Sequence, residues 1–149
     1  VVAGANVAIN KLTGRIEISS SGGGGGGGGD SGIQATAGQK FSNTPLAPNL
    51  QVSGICPATY TLSGIWSMWC YPAGSIELDI WVDTFGNIPP TVGDSIVDGN
   101  YPSIVSGVSA TGSYTGWAAA SILKGAAVTF VIRATSNVEW FTITLEGSK

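Results

Sequence analysis

The 149-residue sequence contains no histidine and few charged side chains. Without histidine, Ser-His-Asp and Cys-His catalysis, histidine proton shuttles and nearly every zinc site are excluded. Charged residues make up 10% of the chain, whereas soluble proteins carry about a quarter, so we expect neighbouring subunits to cover part of the surface. The net charge of −3 does not favour nucleic acid or an anionic membrane as a partner.

Long apolar runs are also absent. The longest stretch without a charge, Phe41 to Ile76, is interrupted by Ser, Gly, Pro, Thr and Asn, so we expect no membrane insertion. Residues typical of surface helices are scarce, with four Glu and four Lys. By contrast, Ile and Val total 26 against seven Leu, with 13 Thr, and branched side chains favour pleated sheets. The composition therefore predicts an all-β protein.

Eight consecutive glycines divide the chain. Residues 1–21, before the run, are expected to form a small β-hairpin with strands at 7–9 and 15–19. The run belongs to a linker, residues 22–32, and fits either a flexible coil or an ordered polyglycine strand packed against neighbouring subunits. The glycines of this linker are Gly22, Gly23, Gly24, Gly25, Gly26, Gly27, Gly28 and Gly29.

Residues 33–149 are long enough for one antiparallel β-sandwich of jelly-roll type, because apolar segments recur about every ten residues between Gly, Pro and Asn. The predicted strands cover residues 33–41, 50–56, 60–71, 75–85, 92–97, 104–109, 116–122, 127–135 and 138–145. Alternation is clearest in residues 75–85, where the even positions are apolar and the odd positions include Glu77, Asp79 and Asp83.

Tryptophan is the most informative residue type, with five in the chain. Alternation places Trp66 with Met68 and Cys70 on one face of the predicted strand 60–71, and Trp69 with Tyr71 on the other. Both faces are apolar, so one should meet a core and the other a ligand or another subunit.

Trp69, Tyr71 and Trp81 are therefore the aromatic candidates for a ligand or subunit surface. Asp79 and Asp83 join them as candidates, because they share the predicted outer face of Trp81. For Trp81, a subunit interface and a ligand platform both stay open. Trp117 and Trp140 are expected to pack in the core or at its edge.

The acidic residues give a weaker signal. Glu77 and Asp79 should lie about 6.7 Å apart along a strand, a separation found in inverting glycosidases, but any strand with alternating acids shows it. A catalytic pair, a calcium site and a solvated or subunit-facing surface are the alternatives, and the last is favoured. Asp94 and Asp98 lie near predicted turns, where Asp commonly bonds the backbone.

Cys56 and Cys70 are expected to be buried free thiols. If the strands that contain them formed a simple hairpin, about 30 Å would separate the two residues, well beyond the 7 Å limit for a disulfide. A disulfide, the less favoured alternative, would need the chain to cross between sheets. Neither has a histidine partner, so neither is a candidate nucleophile.

Two stretches resemble segments of tailed-bacteriophage virion proteins. Residues 3–19 carry the pattern AGxNVxI and then TGxIxIS ahead of the glycine tract, and residues 79–96 carry DIWxDTxxxxPPTxxDSI. Residues 115–117 (TGW) and 124–130 supply later parts of the second pattern, whereas residues 53–71 match no motif of these proteins. The resemblance implies a tail-fibre or head-fibre type protein of the virion, usually trimeric, with a β-sandwich domain.

Two functions follow from this resemblance. One is a receptor-binding adhesin, in which residues 1–21 attach to other virion proteins and a trimeric sandwich presents its surface to a host glycan or protein. The other is a capsid decoration or head-fibre protein that binds no ligand. A glycan depolymerase is least favoured, since histidine is absent and no acids converge. The expected location is the virion, assembled in the host cytoplasm, and no cofactor or metal is implied.

Overall fold

The computed structural model describes residues 15–20 and 31–149. It confirms the all-β prediction: these residues form eight strands in one antiparallel sheet, together with two 3₁₀ turns at Phe85–Asn87 and Val92–Asp94. In this part of the chain, neither turn is long enough to cross a membrane. The strands are β1 Arg15–Ser20, β2 Ser31–Gly38, β3 Gln51–Ile55, β4 Tyr60–Asp83, β5 Ser103–Ser113, β6 Ser121–Ile122, β7 Ala127–Ser136 and β8 Trp140–Ser148.

The 24-residue strand β4 organises the sheet, because its two halves have different partners. The first half, residues 61–71, pairs with β8, and the second half, residues 75–83, pairs with β7. The turn between β7 and β8 lies opposite the middle of β4, where the Glu139 amide donates to the Tyr71 carbonyl at 2.8 Å. On the other edge of β4, β5 pairs with both halves, and the register of this pairing shifts between Trp69 and Gly74. We call this level of the sheet, residues 72–74 and 137–139, the corner.

The sheet closes on itself into a sandwich-like arrangement, to which β4 contributes both of its halves. The strand order is β1-β2-β8-β4-β7-β3, and β1 and β2 at one end come into contact with β3 at the other, so the sheet is nearly a barrel. Branched and aromatic side chains from both layers fill the space between them. The largest fully buried ones are Tyr60, Phe130, Phe141, Ile33, Ile76, Leu78, Ile80, Ile104, Ile122, Ile132, Ile143 and Leu145.

Four predicted strands differ in kind from the observed ones. The predicted strands 60–71 and 75–85 are one bent strand, β4. The predicted strand 116–122 is reduced to β6. The prediction for 92–97 is wrong, because the Thr91 amide donates to the Asp94 carboxylate at 2.7 Å and stabilises a 3₁₀ turn in place of a strand. That contact is the carboxylate–backbone bond predicted for Asp94.

At the N-terminal end, β1 pairs with β2. The predicted hairpin partner at residues 7–9 and the glycines Gly22–Gly29 lie outside the described residues.

The cysteines are buried free thiols, as predicted. The simple hairpin considered for them does not form, because β3 pairs with β7 while β4 begins against β6 and β8. Burial raises the pKa of the Cys56 thiol and of the Cys70 thiol above their ordinary values, which disfavours the reactive thiolate.

Candidate ligand-binding surface

The first half of β4 has two apolar faces with different surroundings, as the sequence predicts. Trp66, Met68 and Cys70 are buried in the core. On the opposite face, Trp69 remains 48% exposed in the folded chain, and Tyr71 is half-buried. A single exposed aromatic side chain is not informative by itself, so the question is whether further apolar side chains join Trp69 in a contiguous patch.

Neighbouring elements bring further aromatic rings to this face. Trp140 of β8 lies opposite Tyr71 in the sheet register and is therefore the diagonal neighbour of Trp69. The Trp69 and Trp140 rings meet edge to face with centroids 5.5 Å apart. Phe41, in the loop after β2, contacts Tyr71 with ring centroids 4.7 Å apart. We call these four residues, Phe41, Trp69, Tyr71 and Trp140, the aromatic patch. It lies beside the corner of the sheet.

The backbone of Phe41 has an energetically unfavourable conformation. Its φ is +60°, in the left-handed region, and a bulky side chain held in a sparsely populated region of this kind costs about 1–3 kcal/mol. Nevertheless Phe41 is 74% exposed, so burial does little to offset the strain. Strained residues that gain little from packing occur most often at functional sites.

Lys40 adds a positive charge to the aromatic patch. Its Nζ lies 4.0 Å from the ring centroid of Trp69 and 4.4 Å from that of Trp140. Both distances are within the range of a cation–π interaction. The ammonium is therefore held between the two indoles.

Hydroxyl and amide side chains continue the same outer face away from the aromatic patch. Thr142 of β8 accepts a hydrogen bond from Thr36 of β2 at 3.0 Å and another from Gln34 at 3.2 Å. This arrangement suits polyhydroxylated ligands, because rings can stack on the C–H faces of a sugar while hydroxyls and amides bond its oxygens.

The second half of β4 corrects part of the predicted surface. Asp79 was expected on an outward face, but it is 3% exposed. Its carboxylate accepts hydrogen bonds from the Ser95 hydroxyl at 2.6 Å, the Trp81 indole at 2.8 Å and the Ile80 amide at 2.8 Å. The cause is the segment that follows β4: it passes Thr129 of β7 at Pro90 and then pairs with the opposite edge of β4 through a bridge between Ser95 and Trp81.

Trp81 and Asp83 are consequently not part of the aromatic patch. Trp81 is half-buried, and its indole N–H is committed to Asp79. Asp83 accepts a hydrogen bond at 2.6 Å from the amide of the next residue, Thr84. The structure therefore brings Trp69 and Tyr71 together and leaves Trp81, Asp79 and Asp83 in the other half of β4.

The acids of β4 do not converge on a common point. Glu77 forms an ion pair with Arg133 of β7 at 2.6 Å, whereas Asp79 is satisfied internally and Asp83 is occupied by the neighbouring amide. Within residues 15–20 and 31–149, no group of three or more Cys, Asp or Glu side chains is placed to hold a metal ion.

Sequence reasoning missed three members of this surface: Trp140, Phe41 and Lys40. For Trp140 a signal existed, because Phe141, Ile143 and Leu145 alternate inward and leave Trp140, Thr142 and Thr144 outward. For Lys40 and Phe41 no sequence pattern was available, since a loop conformation positions both. Trp117 packs against the edge of the core, as predicted, and its ring meets Tyr114 edge to face at 4.9 Å.

A second group of exposed apolar side chains lies in the other half of the molecule. Phe85 and Leu123, each 61% exposed, flank an open cleft of about 460 Å³. Ile55 and Ile88 flank another cleft of about 450 Å³, lined also by Pro89 and Pro90. These clefts carry few polar groups, so they suit an apolar protein surface better than a sugar.

No family model matches this sequence, and a search of curated proteins likewise finds no match.

Proposed function

We propose that this protein is a virion component of a tailed phage that attaches the particle to a glycan on the host surface. The observation that carries the proposal is the aromatic patch, in which three rings from β4 and β8 and one from the loop after β2 cluster beside the corner. The resemblance of residues 3–19 and 79–96 to phage virion proteins supplies the virion context. No catalytic role is part of the proposal.

In this proposal the N-terminal segment attaches to other virion proteins, and three chains assemble into a trimer. A single stacking surface of this size binds a sugar weakly. Three linked copies raise the effective affinity by about 10²–10⁴ when all can engage at once. The low charged fraction of the chain supports subunit contacts elsewhere on its surface.

The first experiment measures assembly and attachment of the 149-residue chain. Light scattering after size exclusion should give three times the chain mass of 15.0 kDa. The fluorescently labelled protein should bind some strains in a panel of Gram-negative and Gram-positive bacteria. The double variant Trp69→Ala/Trp140→Ala should lose binding while it keeps its trimer mass. A monomer that binds no strain at micromolar concentration would contradict the proposal.

A second candidate function is capsid decoration, favoured by the apolar clefts beside Phe85 and Ile88. Here the clefts dock on other virion proteins, and the aromatic patch has no ligand. Counting copies per particle separates the two functions, because a tail adhesin is present in a few copies and a capsid decoration protein in hundreds. The double variant Phe85→Ser/Leu123→Ser should prevent incorporation into particles if decoration is the function, and Trp69→Ala should not.

A further inference from the structure

The ammonium of Lys40 lies between Trp69 and Trp140 of the aromatic patch, and among the described side chains it has no carboxylate partner. The ion pair that the described side chains do form joins Arg133 to Glu77, in the other half of β4. Glu139 precedes Trp140 in the chain, but it forms no ion pair with Lys40, and its Oε2 atom is buried. On β8 the next acid beyond Trp140 is Glu146, about 20 Å further along the strand. The charge of Lys40 is therefore available to a ligand.

The position of this ammonium discriminates between neutral and acidic ligands. At 4.0 and 4.4 Å from the two ring centroids, Nζ lies over the ring faces on which a sugar would stack. A neutral sugar must displace the ammonium and lose the cation–π contacts, with only hydroxyl hydrogen bonds in return. An acidic sugar displaces it too, but its anionic group then forms an ion pair with the same ammonium.

We infer that the ligand of the aromatic patch is an acidic glycan, whose sugar ring stacks on Trp69 or Trp140 while its anionic group binds the ammonium of Lys40. The inference rests on the proposed function and names the ligand class for the same surface. The anionic group is a carboxylate, sulfate or phosphate, because lysine acts as a point charge and does not select among them by geometry. Since the chain as a whole carries a net charge of −3, the attraction is local to Lys40 and not a property of the whole surface.

The test uses the complete 149-residue chain on an array of neutral, uronic-acid, sialic-acid, sulfated and phosphorylated oligosaccharides. The strongest signals should come from acidic glycans, at least tenfold above neutral glycans with the same backbone. Raising NaCl from about 50 to 500 mM should weaken the acidic signals several-fold, because salt screens an exposed ion pair. Comparison of the uronic-acid, sialic-acid, sulfated and phosphorylated oligosaccharides identifies which anionic group is preferred.

Variants separate charge from stacking. Lys40→Met keeps the apolar stem of the side chain and should reduce binding of the best acidic glycan about tenfold, to the level of its neutral counterpart. Lys124→Met, an exposed lysine outside the aromatic patch, is the matched control and should leave binding unchanged. Trp69→Ala should weaken acidic and neutral glycans alike. Circular dichroism checks that each variant is folded.

The results on the array and on bacterial cells together distinguish failure of the inference from failure of the proposed function. If neutral and acidic glycans bind equally and Lys40→Met has no effect, the inference is wrong while glycan attachment stands. If the protein binds bacterial cells but no glycan on the array, the ligand is a protein, and both the inference and glycan recognition are wrong. If it binds neither, the proposed function fails as well.

Discussion

The two halves of β4 share one alternating pattern, yet their outer faces differ. In the first half, Trp69 and Tyr71 stand on an open face with rings from β8 and the loop after β2. In the second half, Asp79 and Trp81 lie under the segment that crosses at Ser95. Alternation determines which side of a sheet a residue occupies. Whether that side meets solvent depends on where the segment after β4 passes.

The covered half illustrates how a buried carboxylate is tolerated. A charge removed from water is costly unless hydrogen bonds replace its hydration. Asp79 receives hydrogen bonds from Ile80, Trp81 and Ser95, so its carboxylate attaches the crossing segment to β4. On the outer face of the uncovered half, the aromatic rings contact one another and the ammonium of Lys40.

The largest expected effect on stability is at Asp79. Asp79→Ala should lower the free energy of unfolding by about 3 kcal/mol, because three donors lose a charged acceptor in a buried setting. Asp83→Ala is the matched control, since Asp83 is more exposed and bonds only a neighbouring amide, and a change within about 0.5 kcal/mol is expected. Urea unfolding measures both. Equal stabilities for the two variants would mean that the crossing segment does not depend on Asp79.

A smaller effect is expected on the inner face of the first half, at Gly112 of β5. A Cβ atom there would collide with the indole of the buried Trp66, so Gly112→Ala should cost about 2 kcal/mol through overpacking. Gly86→Ala serves as the control, because a Cβ at that position meets no atom within 4 Å. If Gly112→Ala were as stable as the wild type, Trp66 would not be fixed where the structure has it.

The two cysteine thiols should make the stability of the protein depend on pH in the alkaline range, and this dependence allows the two layers to be compared. Burial raises the pKa of both thiols in the folded state, so the unfolded chain loses these protons first. The stabilisation is complete below the ordinary thiol pKa of about 8.5, and it is lost as pH rises toward the folded-state pKa. The urea midpoint should therefore fall above about pH 8.5.

Single variants assign this pH dependence to a layer. Cys70→Ala removes the contribution from the inner face of the first half of β4, and Cys56→Ala removes that from the end of β3. Each should flatten the alkaline decline in part, with Cys56 and Cys70 together accounting for most of its early portion. An unchanged pH profile in the double variant would show that other groups govern it. Tyr114 is one such group at higher pH, because burial and the charge of Glu146 raise its pKa.

The sequence was sufficient to predict the local features of this protein. Composition predicted the all-β fold, and alternation assigned Trp66, Met68 and Cys70 to the core and Trp69 and Tyr71 to the other face. The same alternation was insufficient for Asp79 and Trp81, because the segment that covers them is fixed by long-range pairing. Lys40 and Phe41 were missed since their positions depend on a loop with φ of +60° at Phe41, which no periodic pattern encodes.

The central claim is that the open half of β4 binds a ligand and the covered half stabilises the fold. The most direct test compares Trp69→Ala with Trp81→Ala in urea unfolding and in binding to the array and to bacterial cells. We expect Trp69→Ala to lose binding at a stability cost of about 1 kcal/mol or less, the value of one aromatic contact. Trp81→Ala should cost about 2 kcal/mol or more and retain binding while folded. The reverse result, with binding lost through Trp81 and unaffected by Trp69, would contradict the account.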